Sequence, residues 1–91
     1  GMYGTIRMHQ EREYPGRTSA TGLQNPDFAA LARAYGAHGE TVTRTADFPQ
    51  AFERAKAAGT PALIEIQVDP EALTVAKSLT EIREAALADG R

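Results

Sequence analysis

Only two stretches of this chain can be β-strands, and a helical stretch lies between them. Residues 40–44 (ETVTR) are short and β-branched, and residues 62–68 (ALIEIQV) follow Pro61 with Ile64, Ile66 and Val68 on one face. Leu63 keeps the other face partly apolar, while Glu65 and Gln67 take it to water. Strand, helix and strand joined by short connections make a βαβ unit, with parallel strands and a right-handed crossover. Parallel sheets carry helices on both faces, yet two strands make a poor sheet. A chain of this pattern is expected to lack a piece, or to borrow it from another copy of itself.

The helices supply the remaining layers. Asn25 is placed to cap a helix with Pro26 at its first position and Asp27 in its first turn. Phe28, Leu31, Ala32 and Tyr35 then repeat at helical spacing, and Gly36 stops the helix. Asp47 is expected to cap a second helix, whose stripe is Phe48, Ala51, Phe52 and Ala55 and whose stop is Gly59. Phe28, Tyr35, Phe48 and Phe52 are expected in the core. Ser78 and Glu81 fit a capping box for a last helix. Residues 4–12 read weakly as a helix, and residues 13–24 (EYPGRTSATGLQ) as a loop of functional length. The fold class is therefore α/β: a truncated three-layer fragment with a short parallel βαβ unit (strands about 40–44 and 62–68) and flanking helices at about 4–12, 26–35, 47–58 and 79–88.

Composition excludes several kinds of chemistry. The chain has 91 residues and no cysteine, so disulfides and thiolate metal sites are ruled out. A net charge of −2 leaves no basic footprint for nucleic acid. The longest apolar run, PALIEI, is too short to cross a bilayer, and no signal peptide is visible, so a cytoplasmic protein without a membrane partner is expected. His9 and His38 have no partner at metal-ligand spacing. Glu11 and Glu13 lie two apart and read as a solvated charged surface. TSATG and YGAHG lack the lysine and spacing of a phosphate loop, and Ser19 has no nucleophile-elbow context.

A resemblance adds what these patterns leave open. Tyr3-Gly4-Thr5-Ile6-Arg7, Asn25-Pro26-Asp27-Phe28, Ala34-Tyr35-Gly36, Pro61-Ala62-Leu63-Ile64-Glu65-Ile66 and Val68-Asp69-Pro70 follow one another in order. Together they resemble the C-terminal, diphosphate-binding domain of thiamine-diphosphate enzymes of the acetolactate synthase type. In that family a Gly-Asp-Gly and a pair of asparagines hold a divalent cation, usually magnesium, against the cofactor's diphosphate. A glutamate from another domain and subunit reaches the cofactor's pyrimidine ring. Neither Gly-Asp-Gly nor Asn-Asn occurs in this sequence. The resemblance thus implies that residues 1–91 are a C-terminal fragment of a thiamine-diphosphate-binding domain that starts just after the asparagines.

Specific positions carry over. The resemblance places a metal-binding backbone carbonyl at Met2, a hard oxygen of the kind magnesium prefers. It places cofactor contacts at Tyr3, Gly4, Thr5 and Ile6, where a helix start offers free N–H groups to a diphosphate, and it places His9 at the substrate channel. No catalytic side chain is implied within the chain. The implied reaction is cofactor chemistry on a 2-oxo acid: carbon dioxide is lost, and the remaining unit is protonated or joined to a second carbonyl. Decarboxylase, carboligase, lyase and transferase outcomes share that route. The fragment alone is expected to be inactive and not to bind thiamine diphosphate or Mg2+. A homo-oligomer, most simply a dimer, is expected to cover the open sheet. The alternative is a stand-alone small α/β module for protein–protein interaction.

Overall fold

A computed structural model of the chain describes residues 1–91. The elements run α1 (Gly4–Glu13), α2 (Phe28–Ala34), β1 (His38–Val42), a 3-10 turn at Thr45–Asp47, α3 (Phe48–Ala57), β2 (Ala62–Ile66) and α4 (Leu79–Ala88). Two compact units result: Asn25–Val68, and Gly1–Gln24 with Asp69–Arg91. No helix is long and apolar enough to cross a membrane.

The first unit is the βαβ unit expected from the sequence, with α2 in front of it. Strands β1 and β2 pair in parallel, in register from His38 with Ala62 to Val42 with Ile66. Side chains alternate across a strand, and the contacts of β1 sort the helices accordingly. Gly39 abuts Ala29 and Ala32 of α2, whereas Glu40 binds Arg54 of α3. Helices α2 and α3 therefore cover opposite faces of the sheet, giving three layers.

The strand bounds differ from the sequence expectation. The first strand lies two residues earlier than 40–44, and the second ends at Ile66 rather than residue 68. His38 and Gly39 lack β-branching, but tertiary pairing recruits them: the His38 N–H bonds to Pro61 O at 2.9 Å, and Gly39 makes room for α2. Beyond Val42 the ladder closes with Gln67 N–H to Val42 O.

Small residues make this unit's core. Ala29, Ala32, Val42 and Ala51 are buried, while Tyr35 is 84% exposed, Phe52 48% and Phe48 36%. Phe28 is half-buried. The aromatic core read from the stripes is thus corrected. The reason is the approach of α2. A Cβ on Gly39 would lie 2.2 Å from Ala29 O, so the helix sits too close for anything larger than alanine. Its Ala29/Ala32 face turns inward, and Leu31 and Tyr35 turn out. Phe48 and Phe52 instead stack on each other, ring centres 5.9 Å apart.

Caps also move. Asp27, not Asn25, is the N-cap of α2, its carboxylate accepting from Ala30 N–H at 2.9 Å, and Pro26 lies outside the helix. Asp47 stands at the start of α3, but its carboxylate is held by Arg44 at 3.0 Å and caps nothing. Gly36 and Gly59 stop their helices at φ +79° and +67°, as the sequence requires.

In the second unit α1 packs on α4. The Ser78/Glu81 capping box forms with both bonds present. The Ser78 N–H holds the Glu81 carboxyl below the usual glutamate range. Glu13 is exposed, but Glu11 is only 1% exposed, which overturns its reading as solvated surface. Position 11 lies on the face of α1 that meets α4, and Arg83 of α4 brings a compensating charge to 3.6 Å. Gly16 N–H contacts the same carboxylate at 3.5 Å.

Candidate functional site

The residues named from the sequence for cofactor contact open α1. Tyr3 is its N-cap and offers no side-chain cap, and no acidic residue stands in the first turn. The first intrahelical bond runs from Arg7 N–H to Tyr3 O, 2.9 Å. The N–H groups of Gly4, Thr5 and Ile6 therefore have no acceptor within the helix. Together with the helix dipole they form an electropositive terminus. Met2, Tyr3, Gly4, Thr5 and Ile6 line a surface pocket of about 320 Å³. Tyr3 and Ile6 are half-exposed there, at 52% and 54%.

Met2 is held in an antiparallel bridge with Gly22. The two bonds of that bridge are made by its neighbours: Tyr3 N–H to Thr21 O at 2.9 Å, and Leu23 N–H to Gly1 O at 2.7 Å. In such a pair the central residue turns its own N–H and C=O away from the partner strand. The Met2 carbonyl accepts no hydrogen bond from the chain and is free to act as a hard oxygen ligand. No three His, Cys, Asp or Glu side chains converge on a common point. The donor set thus suits a diphosphate and one bond to a cation, but not a whole cation site.

Arg7 was not singled out in the sequence. Its Nε is buried without a hydrogen-bond partner, and its Nη1 reaches back to Met2 Sδ at 3.8 Å. Long helical side chains lean toward the N-terminus, which brings this guanidinium to the turn that carries the free N–H groups. A buried donor without a partner is a rarity, and here it puts a positive charge against the Met2 side chain, although Arg7 does not itself line the pocket. The helical spacing of Arg7 after Tyr3 was the available signal.

His9 lies one turn beyond Thr5, on the same helix face. It is exposed, and Arg12 Nη2 donates to its Nδ1 at 2.6 Å. Arginine has no acceptor, so Nδ1 is the acceptor and the neutral ring carries its proton on Nε2. Other residues missed by the sequence reading are Gln10 and Thr21, eleven apart and joined side chain to side chain at 3.0 Å. No periodicity links a helix to a loop at that separation.

Two comparisons bear on this arrangement. The model of a family described as the C-terminal TPP binding domain of thiamine pyrophosphate enzymes matches residues 1–66. The chain is also similar to the acetolactate synthase isozyme 2 large subunit of Escherichia coli (strain K12), 34% identical over 67 residues. That alignment covers 72% of this chain but only 12% of the relative, so the chain spans a small part of that protein's length. The uncapped helix start and the free Met2 carbonyl both lie inside the matched residues. The chain belongs to the thiamine pyrophosphate enzymes, in the family of their C-terminal TPP binding domain.

Proposed function

We propose that this chain is the C-terminal part of a thiamine-diphosphate- and magnesium-dependent enzyme, a decarboxylase or carboligase of 2-oxo acids that resembles acetolactate synthase. The observation that carries the reading is the family match over residues 1–66, in which the opening segment offers three free N–H groups and one free carbonyl. The N–H groups of Gly4, Thr5 and Ile6 hold the diphosphate, and Arg7 adds its charge. The Met2 carbonyl supplies one oxygen to the magnesium ion. His9, with Nδ1 engaged by Arg12, presents Nε2 as a hydrogen-bond donor to the path of the substrate. When bound, the cofactor supplies the nucleophilic carbon and the electron sink that loss of carbon dioxide needs. The chain's own residues anchor and orient it.

One carbonyl does not make a magnesium site, so the isolated chain is proposed to be inactive. Calorimetric titration with thiamine diphosphate and Mg2+ tests this. No tight, metal-dependent uptake is expected from the 91-residue chain. A chimera that carries residues 1–66 in place of the matching segment of the E. coli subunit is expected to bind the cofactor and release carbon dioxide from a 2-oxo acid. Tight metal-requiring uptake by the chain alone, with nothing added, would overturn the reading. A folded chimera that binds no cofactor would do the same.

A further inference from the structure

The loop after α1 does more than connect. Gln10, in the second turn of α1, grips it twice: Nε2 donates to Ser19 O at 2.8 Å, and Oε1 accepts from Thr21 Oγ1 at 3.0 Å. Between these contacts Ala20 takes φ +59°, a left-handed conformation unfavourable for a residue with a Cβ. Thr21 is only 5% exposed. Its carbonyl accepts the N–H of Tyr3, and two residues on, Leu23 N–H bonds back to Gly1 O. A strained residue persists only where its surroundings over-determine it, and here both neighbours of Ala20 are fixed by one glutamine.

We infer that Gln10 and Thr21 are positioning residues for the cofactor site. They strap residues 19–23 against α1, and the strap sets the direction of the Met2 carbonyl and the Tyr3 turn that precedes the free N–H groups of Gly4, Thr5 and Ile6. The inference rests on the cofactor reading above. Neither residue lines the pocket at the helix start. Each acts through the Met2–Gly22 bridge.

The test uses the full chain, 15N-labelled, with amide hydrogen exchange and a titration with inorganic pyrophosphate as probe. In the wild type, pyrophosphate is expected to shift the amide resonances of Gly4, Thr5 and Ile6 in the millimolar range, weaker than any cofactor uptake. Gln10→Ala is expected to speed exchange at Tyr3 and Leu23 by about tenfold, the loss of roughly one hydrogen bond's protection, and to weaken the pyrophosphate response severalfold. Exchange in α4 is expected to stay as in the wild type. Thr21→Ser, which keeps the hydroxyl, is expected to retain both properties, and Thr21→Val to lose them. Should Gln10→Ala fail to fold, Gln10→Glu serves: it keeps the acceptor for Thr21 but cannot donate to Ser19 O. Unchanged exchange at Tyr3 and Leu23 in the Gln10 variant would overturn the inference. So would faster exchange spread equally over α4, which marks a merely structural role. A wild type that answers pyrophosphate at none of the three amides would instead sink the reading that the Gly4, Thr5 and Ile6 N–H groups hold a diphosphate, whatever the variants do.

Discussion

Gly39 decides how closely a helix can lie on the sheet. An added Cβ would sit 2.2 Å from Ala29 O, 3.0 Å from Ala29 C and 3.1 Å from Ala32 Cβ. The first two are main-chain atoms, which cannot swing aside as a side-chain tip can. Gly39→Ala is therefore expected to lift α2 from β1 and to cost about 2 kcal/mol through overpacking. For a domain of this size that lowers the melting temperature by about 10 °C, read by circular dichroism. Gly59 gives the contrast. It needs its positive φ, but nothing lies within 4 Å of a built Cβ, so Gly59→Ala is expected to cost only about 1 kcal/mol in backbone strain. A Gly39→Ala variant that melts with the wild type would show that α2 does not owe its position to this contact.

At the scale of elements, the helices of α2 to α4 and the strands were legible because their punctuation is local. Gly36, Gly59 and the Ser78/Glu81 pair act within one turn of the chain, and the structure keeps all three. The alternation of β1 and β2 across a helix was legible for the same reason. What could not be read was which face each element turns inward. The stripe in α2 pointed to Phe28, Leu31, Ala32 and Tyr35, yet the close approach at Gly39 selects Ala29 and Ala32, so of that stripe only Ala32 is fully buried. Burial of Glu11 depends on Arg83, far along the sequence. At the candidate site, the free donors of Gly4, Thr5 and Ile6 followed from a helix start, but the strap through Gln10 and Thr21 did not. The tie between β1 and α3 is likewise nonlocal, and it carries a pH dependence. Arg54 first, and then His38 at 3.0 Å, hold the Glu40 carboxyl below the usual glutamate value of 4.5. Glu40 in turn raises Arg54. A folded-state pKa below the unfolded one means the stabilisation is complete at neutral pH and is lost as pH falls through the lowered value. Glu40→Gln removes that linkage. Between pH 6 and 3, in roughly the range where carboxylates titrate, the melting temperature of the wild type is expected to fall more steeply than that of the variant. Parallel curves would show that the Glu40–Arg54 pair contributes nothing to the folded state.

The molecule as a whole leaves much of its sheet unit uncovered. With two strands, each strand has only one partner and shows an unpaired edge. Around that sheet, Leu31, Tyr35, Phe52, Ile66 and Val68 are 44%, 84%, 48%, 52% and 78% exposed. Scattered apolar residues are ordinary on a surface, but so many large ones within Asn25–Val68, with Leu31 and Tyr35 on the α2 side of the sheet and Phe52 on the α3 side, mark surfaces that call for a cover. We propose a second copy of the chain as that cover in the purified protein, where no other polypeptide competes. A symmetric dimer buries the same residues twice. The near-neutral balance of charge, −2 over 91 residues, opposes association only weakly. Sedimentation equilibrium is expected to give twice the 9.8 kDa of the chain. Tyr35→Glu with Phe52→Glu, which puts negative charge on both the α2 and the α3 side without touching a buried residue, is expected to return it to one. A wild type that stays monomeric up to the highest concentration it tolerates would remove the second copy as the cover. Dimers that persist in the charged variant would move the contact away from both of these surfaces.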